Sequence, residues 1–155
     1  NSRLDEIQAA VLDVKLRHLD EDIKARQAIA DYYYDYIDNP LVELPVRLPH
    51  ENNVYHLFPI LVKNPSLQGG AGVGRDRLQA YLAENGVGTV IHYPIPPHLQ
   101  ECYHNHPSLN QGRAGDRLVT EQIADEELSL PISPTMTIKE AEVVVNLVNK
   151  FTHDK

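Results

Sequence analysis

The sequence has 155 residues, 42% of them hydrophobic and 23% charged, with a formal net charge of −8. That length suits one domain with its own core, and the acidic balance excludes a nucleic-acid surface, which needs clustered Lys and Arg. No apolar run is long enough to cross a bilayer, so no membrane partner is expected, and the single cysteine, Cys102, cannot form an internal disulfide, which fits a reducing cytoplasm.

Leu4, Ile7, Val11, Val14 and Leu16 approximate a helical apolar stripe and predict an amphipathic helix over 3–18, with Ser2 as N-cap and Asp5 at the reciprocal capping position. The chain opens directly at this helix start, without Met, which marks it as an expected fragment of a longer protein. A second helix is expected over 20–37, where Ile23, Ala30, Tyr33 and Ile37 share a face and Asn39-Pro40 stops the run. It carries Tyr32, Tyr33, Tyr34 and Tyr36; adjacent aromatics cannot share one helix face, so one or two pack inward and the rest lie at a rim or interface.

Residues 41–51 read as a proline-bearing loop with a short extended piece. Val54, His56, Phe58, Ile60 and Val62 alternate and predict a strand over 54–62 with all five facing one way. A Gly-rich loop, 64–74, leads into a helix over 75–84, which Asn85-Gly86 ends as a C-cap. A second strand is expected over 87–93, then an irregular loop held by Pro94, Pro96 and Pro97, and a helix over 116–127. A short extended piece, 128–132, precedes a last helix whose start carries Thr137 and Glu140 as a capping box. This order predicts an α+β fold with helices packed on a small sheet.

One stretch is suspicious chemically. In Ile91-His92-Tyr93-Pro94-Ile95-Pro96-Pro97-His98-Leu99-Gln100, a strand end places two polar side chains beside a loop whose prolines restrict its path, an arrangement common at ligand sites. The same residues also fit a Pro-rich surface loop with incidental histidines. His98, Cys102, His104 and His106 are metal-ligand types, but their spacing is not a usual zinc spacing and no second Cys/His group completes the set, so no metal is expected. Gly69–Gly74 lacks the third glycine of a dinucleotide fingerprint, because Arg75 stands there. The carboxylates of Asp20-Glu21-Asp22 and Asp125-Glu126-Glu127 fall at helix ends and read as solvated charge.

Longer strings carry a resemblance. Asn1-Ser2-Arg3-Leu4-Asp5-Glu6-Ile7-Gln8-Ala9-Ala10, Val54-Tyr55-His56-Leu57-Phe58 with Arg75, His92-Tyr93-Pro94 with Pro97-His98-Leu99-Gln100, and Glu127-Leu128-Ser129-Leu130-Pro131-Ile132 follow one another in order over nearly the whole chain. Together they resemble the DegT/DnrJ/EryC1/StrS aminotransferases, and the third string looks most like members acting on 3-keto-6-deoxy sugar nucleotides.

The resemblance implies the small C-terminal domain of a fold-type I pyridoxal-phosphate enzyme. Residues 1–39 would be the helical connection to an upstream cofactor domain, and 40–155 the α+β body. It implies a cytoplasmic homodimer moving an amino group from glutamate to a nucleotide-linked keto sugar. The family's cofactor-bearing lysine matches no lysine here, so this chain alone is expected to be inactive and to contain no catalytic residue. Asn1 matches the residue that hydrogen-bonds the cofactor phosphate in the partner subunit's site, a role suited to an amide N–H donor. His92, Tyr93 and His98 match the loop bordering the sugar nucleotide. The alternative reading is a non-catalytic module of the same ancestry that binds sugar nucleotides, dimerises or regulates.

Overall fold

The computed structural model describes residues 5–63, 73–103 and 119–152, so Asn1, Ser2, Arg3, His104 and His106 lie outside the described residues. The expected α+β class holds: α1 (Glu6–Leu16), α2 (Leu19–Tyr36), α3 (Val73–Glu84), α4 (Val119–Glu126) and α5 (Ile138–Lys150) accompany β1 (Val42–Glu43), β2 (Phe58–Val62) and β3 (Glu127–Leu130). The strands form an antiparallel sheet in the order β1-β2-β3, with Val42 opposite Val62 and Ile60 opposite Leu128.

The core gathers where helices meet this sheet. Phe58, Ile60 and Val62 of β2 are buried with Leu128 and Leu130 of β3, Tyr33 and Ile29 of α2, Leu78 and Leu82 of α3, and Val144, Val145 and Val148 of α5. Burying each large apolar side chain contributes roughly 1.5–3 kcal/mol. Tyr33 enters the core whole: its ring meets Phe58 edge-on at 5.0 Å, and its hydroxyl donates to the Pro131 carbonyl at 2.7 Å. Burial pushes the Tyr33 phenol well above the usual tyrosine range. Tyr34 lies beside it on Phe58, while Tyr32 stacks on the exposed Tyr36, the division expected of adjacent aromatics on a helix.

Side-chain caps close the element ends. The Asn39 amide donates to the carbonyls of Val148 (2.6 Å) and Phe151 (3.0 Å) while its oxygen accepts from Leu41 N–H, joining the end of α2, the start of β1 and the end of α5. Thr137 and Glu140 form the expected capping box of α5, and the hydrogen bonds from the Thr137 backbone and hydroxyl lower the Glu140 carboxyl below its usual range. Gly86, at φ 80°, ends α3: its N–H bonds Ala83 O and the Val87 N–H bonds Leu82 O, a Schellman closure that a left-handed residue makes possible.

Several expectations need correction. The N-cap of α1 is Asp5, whose carboxylate accepts from Ile7 N–H at 2.7 Å, so Asp5 is not the reciprocal capping residue. The strand expected over 54–62 begins only at Phe58. Tyr55 takes a left-handed φ of 48°, which breaks the alternation, so Tyr55 is buried and Val54 and His56 are exposed. The strand expected over 87–93 shrinks to a single bridge between Val90 and Ser129, for a reason that belongs to the site below. Pro59 sits inside β2 at no cost, because Ser129 opposite it gives both backbone groups to Val90 and needs no N–H from position 59.

The two N-terminal helices behave differently. On one side α2 packs on α5 and buries Ile29, Ala30 and Tyr33. No residue of α1 is buried, and Ile7, Val11, Val14 and Leu16 of its apolar stripe are all more than half exposed. Among the described residues no helix is long and apolar enough to cross a membrane.

Candidate functional site

The suspicious loop lies against β3. Residue 92 stands opposite residue 127 in the register set by the Val90–Ser129 bridge, where an antiparallel ladder would place the next backbone bond. Instead the His92 N–H donates to the side chain of Glu127, Oε2, at 2.8 Å. A carboxylate has taken the place of the main-chain acceptor, and there the strand ends. The ring of His92 turns back over the same edge, with Nδ1 at 3.0 Å from Ser129 Oγ. The Ser129 hydroxyl in turn donates to Glu127 Oε1 at 2.7 Å.

Glu127 is only 6% exposed and Ser129 4%. They alternate along β3 on one face, and their two hydrogen bonds satisfy the buried carboxylate. This overturns the reading of Glu127 as solvated charge: the helix ends at Glu126, one residue earlier, and Glu127 belongs to the strand. The available signal was the i, i+2 spacing of Glu127 and Ser129 beside Leu128 and Leu130, which places two polar side chains on one face of a buried strand.

His92, Tyr93, Pro96 and Pro97 line a cleft of about 360 Å³ together with Leu57 and Pro59 of the β2 approach, Thr120 and Ile123 of α4, and Glu127 and Ser129. Its walls are mostly apolar, with the His92 imidazole and the Ser129 hydroxyl among the few polar groups, the usual composition of a ligand cleft. Tyr93 stands at the mouth, 82% exposed, with φ at 55°. A bulky residue in the left-handed region is uncommon and recurs at ligand sites.

His98 is placed apart from this pair. It sits in a short 3-10 turn, Pro97–Leu99, and its Nε2 is 3.0 Å from Glu121 Oε1 on α4, both side chains largely buried. The contact ties the proline loop to the helix that forms the opposite wall. The structure therefore brings His92 and Tyr93 to the cleft and sets His98 behind it as an anchor of the loop. Arg75, also part of the resemblance, donates to the Ala124 carbonyl at 2.6 Å and to Asp76, locking α3 to the end of α4. Asn1 lies outside the described residues.

A larger cleft, about 610 Å³, opens between residues 85–90, the 131–136 loop and α5. Its one charged side chain, Glu140, is already committed to Thr137. It offers no converging set of polar side chains like that of Glu127, Ser129 and His92.

Comparison with known proteins gives one consistent picture. The model of the DegT/DnrJ/EryC1/StrS aminotransferase family matches residues 1–149. The dTDP-3-amino-3,6-dideoxy-alpha-D-galactopyranose transaminase of Aneurinibacillus thermoaerophilus is 43% identical over 97% of this chain and 37% of its own length. Among solved structures, S. venezuelae DesV in complex with a ketimine intermediate superposes with a TM-score of 0.76 at 35% identity, covering 97% of this chain and 37% of that one. A DegT DnrJ EryC1 StrS aminotransferase from Brucella abortus gives 0.78 at 31% identity, over 99% of this chain and 37% of that one. The chain thus spans little more than a third of the length of the proteins it matches.

Proposed function

We propose that this chain, which belongs to the DegT/DnrJ/EryC1/StrS aminotransferase family, is the C-terminal domain of a pyridoxal-phosphate enzyme that moves an amino group from glutamate to a nucleotide-linked keto sugar. One observation carries the reading. The His92-Tyr93 pair and Ser129 of the Leu128–Pro131 stretch, segments that resemble the family separately and lie more than thirty residues apart, meet at a single cleft.

The cofactor, when bound, would carry the transferred amino group and supply an electron sink for the reacting carbon. The described cleft does not suit its phosphate, because the buried Glu127 carboxylate beside it would repel an anion. A neutral, hydroxyl-rich sugar suits it better. We therefore place the sugar nucleotide against His92 and Tyr93, with His98 holding the loop in position. The cofactor's lysine belongs to an upstream domain, and Asn1 to the phosphate contact across a homodimer interface. Residues 1–39 connect to that domain, which would cover the exposed stripe of α1, and 40–155 form the body. The enzyme is cytoplasmic.

The test has two parts. The full-length protein, given pyridoxal phosphate, glutamate and a nucleotide-linked 3-keto-6-deoxyhexose, forms the amino sugar; absence of product with intact ligand binding would favour a non-catalytic binding module. The 155-residue chain alone, treated with pyridoxal phosphate and then borohydride, acquires no stoichiometric pyridoxyl group. A single lysine labelled to completion would overturn the upstream placement.

A further inference from the structure

We propose that Glu127 and Ser129 are positioning residues that hold the neutral imidazole of His92 with its proton on Nδ1, so that Nε2 meets the ligand as a hydrogen-bond acceptor. The inference rests on the reading of His92 as a sugar-side residue and goes further, because it names the chemical sense of the contact.

The argument follows the protons along one chain of atoms. As a carboxylate, Glu127 only accepts. The Ser129 hydroxyl has a single proton and gives it to Glu127 Oε1 at 2.7 Å. Facing His92, Ser129 Oγ is then left with lone pairs alone. The 3.0 Å contact from His92 Nδ1 to that oxygen is a hydrogen bond only if Nδ1 carries the proton. Nδ1 also lies 3.8 Å from Glu127 Oε1, and an N–H there, unlike a lone pair, is attracted to the carboxylate. The His92 backbone N–H, bonded to Oε2 at 2.8 Å, fixes the carboxylate so that Oε1 stays turned to Ser129.

With Nδ1–H committed, the ring in its neutral form keeps its lone pair on Nε2, on the side away from Ser129, and the ring itself lines the cleft. A lone pair there selects a donor. Sugar hydroxyls donate; an ionised pyrophosphate oxygen does not. The device therefore assigns His92 to a hydroxyl of the sugar and directs the charged diphosphate elsewhere.

The geometry also yields a reversal. In Glu127→Gln the His92 backbone N–H still needs an acceptor, so the amide oxygen takes the Oε2 position and the amide NH2 faces Ser129. Ser129 Oγ then accepts from Gln and gives its own proton to His92 Nδ1. The ring proton moves to Nε2, and the acceptor offered to the ligand becomes a donor.

The test uses the full-length protein with 15N-labelled histidine, the His92 signals being assigned by their loss in His92→Gln. Proton–nitrogen correlation of the ring reads the tautomer directly. Wild type shows Nδ1–H, Glu127→Gln shows Nε2–H, and Ser129→Ala weakens the preference for Nδ1–H to what the Glu127 carboxylate at 3.8 Å sustains. A wild-type ring protonated on Nε2, or a Glu127→Gln ring unchanged from wild type, would overturn the proposal. Ser129→Ala gives an independent arm if the Gln variant does not fold. In Glu127→Gln a sugar hydroxyl that donated to Nε2 must turn to accept from it, so the KM for the sugar nucleotide rises, by up to roughly tenfold, about the value of one hydrogen bond. If the tautomer reverses as expected but KM does not move, the positioning role stands and the placement of the sugar against His92 falls.

Discussion

Replacing His98 with Ala separates a loop anchor from a ligand contact. Its Nε2 lies 3.0 Å from Glu121 Oε1, and the side chains are only 14% and 22% exposed, so the bond is shielded from water. A hydrogen bond to a charged partner contributes roughly 1.5–3 kcal/mol, and each 1.4 kcal/mol is about tenfold in an equilibrium constant. If the bond serves to hold Pro96 and Pro97 against the cleft, losing it loosens the wall the sugar nucleotide meets. His98→Ala in the full-length enzyme then raises the KM for the sugar nucleotide about tenfold to a hundredfold and leaves the glutamate half-reaction nearly untouched. The anchoring role adds a second expectation: Glu121→Gln weakens the same bond and shifts KM in the same direction. The assay measures the two half-reactions separately by single turnover. A collapse of the glutamate half-reaction with unchanged sugar-nucleotide affinity would refute the placement of the loop. A Glu121→Gln variant identical to wild type beside a disabled His98→Ala would refute the anchoring and make His98 a direct ligand contact.

Two further tests concern the scaffold. Asn39→Ala removes the donors to Val148 O and Phe151 O and the acceptor for Leu41 N–H, three bonds at a site 7% exposed, and should cost roughly 2–4 kcal/mol by urea unfolding. Asn39→Asp should be no better, since it aims a carboxylate at two carbonyl oxygens; near-native stability of Asn39→Asp would mean the amide does not make these bonds. Asp31 is raised by its partial burial but lowered more by hydrogen bonds from His50 and Arg47, so its net carboxyl pKa falls below the usual value. A depressed folded-state pKa contributes stability above the unfolded value, about pH 4, and loses it as pH falls through the folded one. Melting temperature against pH should therefore decline less below about pH 4 in Arg47→Met than in wild type, and parallel curves would show that the pair is not linked to folding.

The sequence alone determined the features written in local chemistry. The helical period of α2, the Thr137–Glu140 box that starts α5 and the Asn85-Gly86 stop all depend on neighbours within about five residues, and all stand in the structure. The family was legible for a related reason, since ordered strings of specific residues identify ancestry without any packing argument. Only the tertiary structure decided where strands end and which polar groups meet. Val54 and His56 alternate as well as Phe58 and Ile60 do, yet the left-handed turn at Tyr55 ends the pattern. Residues 87–93 have the composition of a strand, yet pairing stops where the Glu127 side chain takes the bond a main-chain carbonyl would have accepted. Glu127 read as one more surface charge because its burial comes from a segment some thirty-five residues away folding across it. Periodicity reports which face of an element is apolar; it carries no information about the side chain another segment brings to that face, and at this cleft that meeting sets the chemistry.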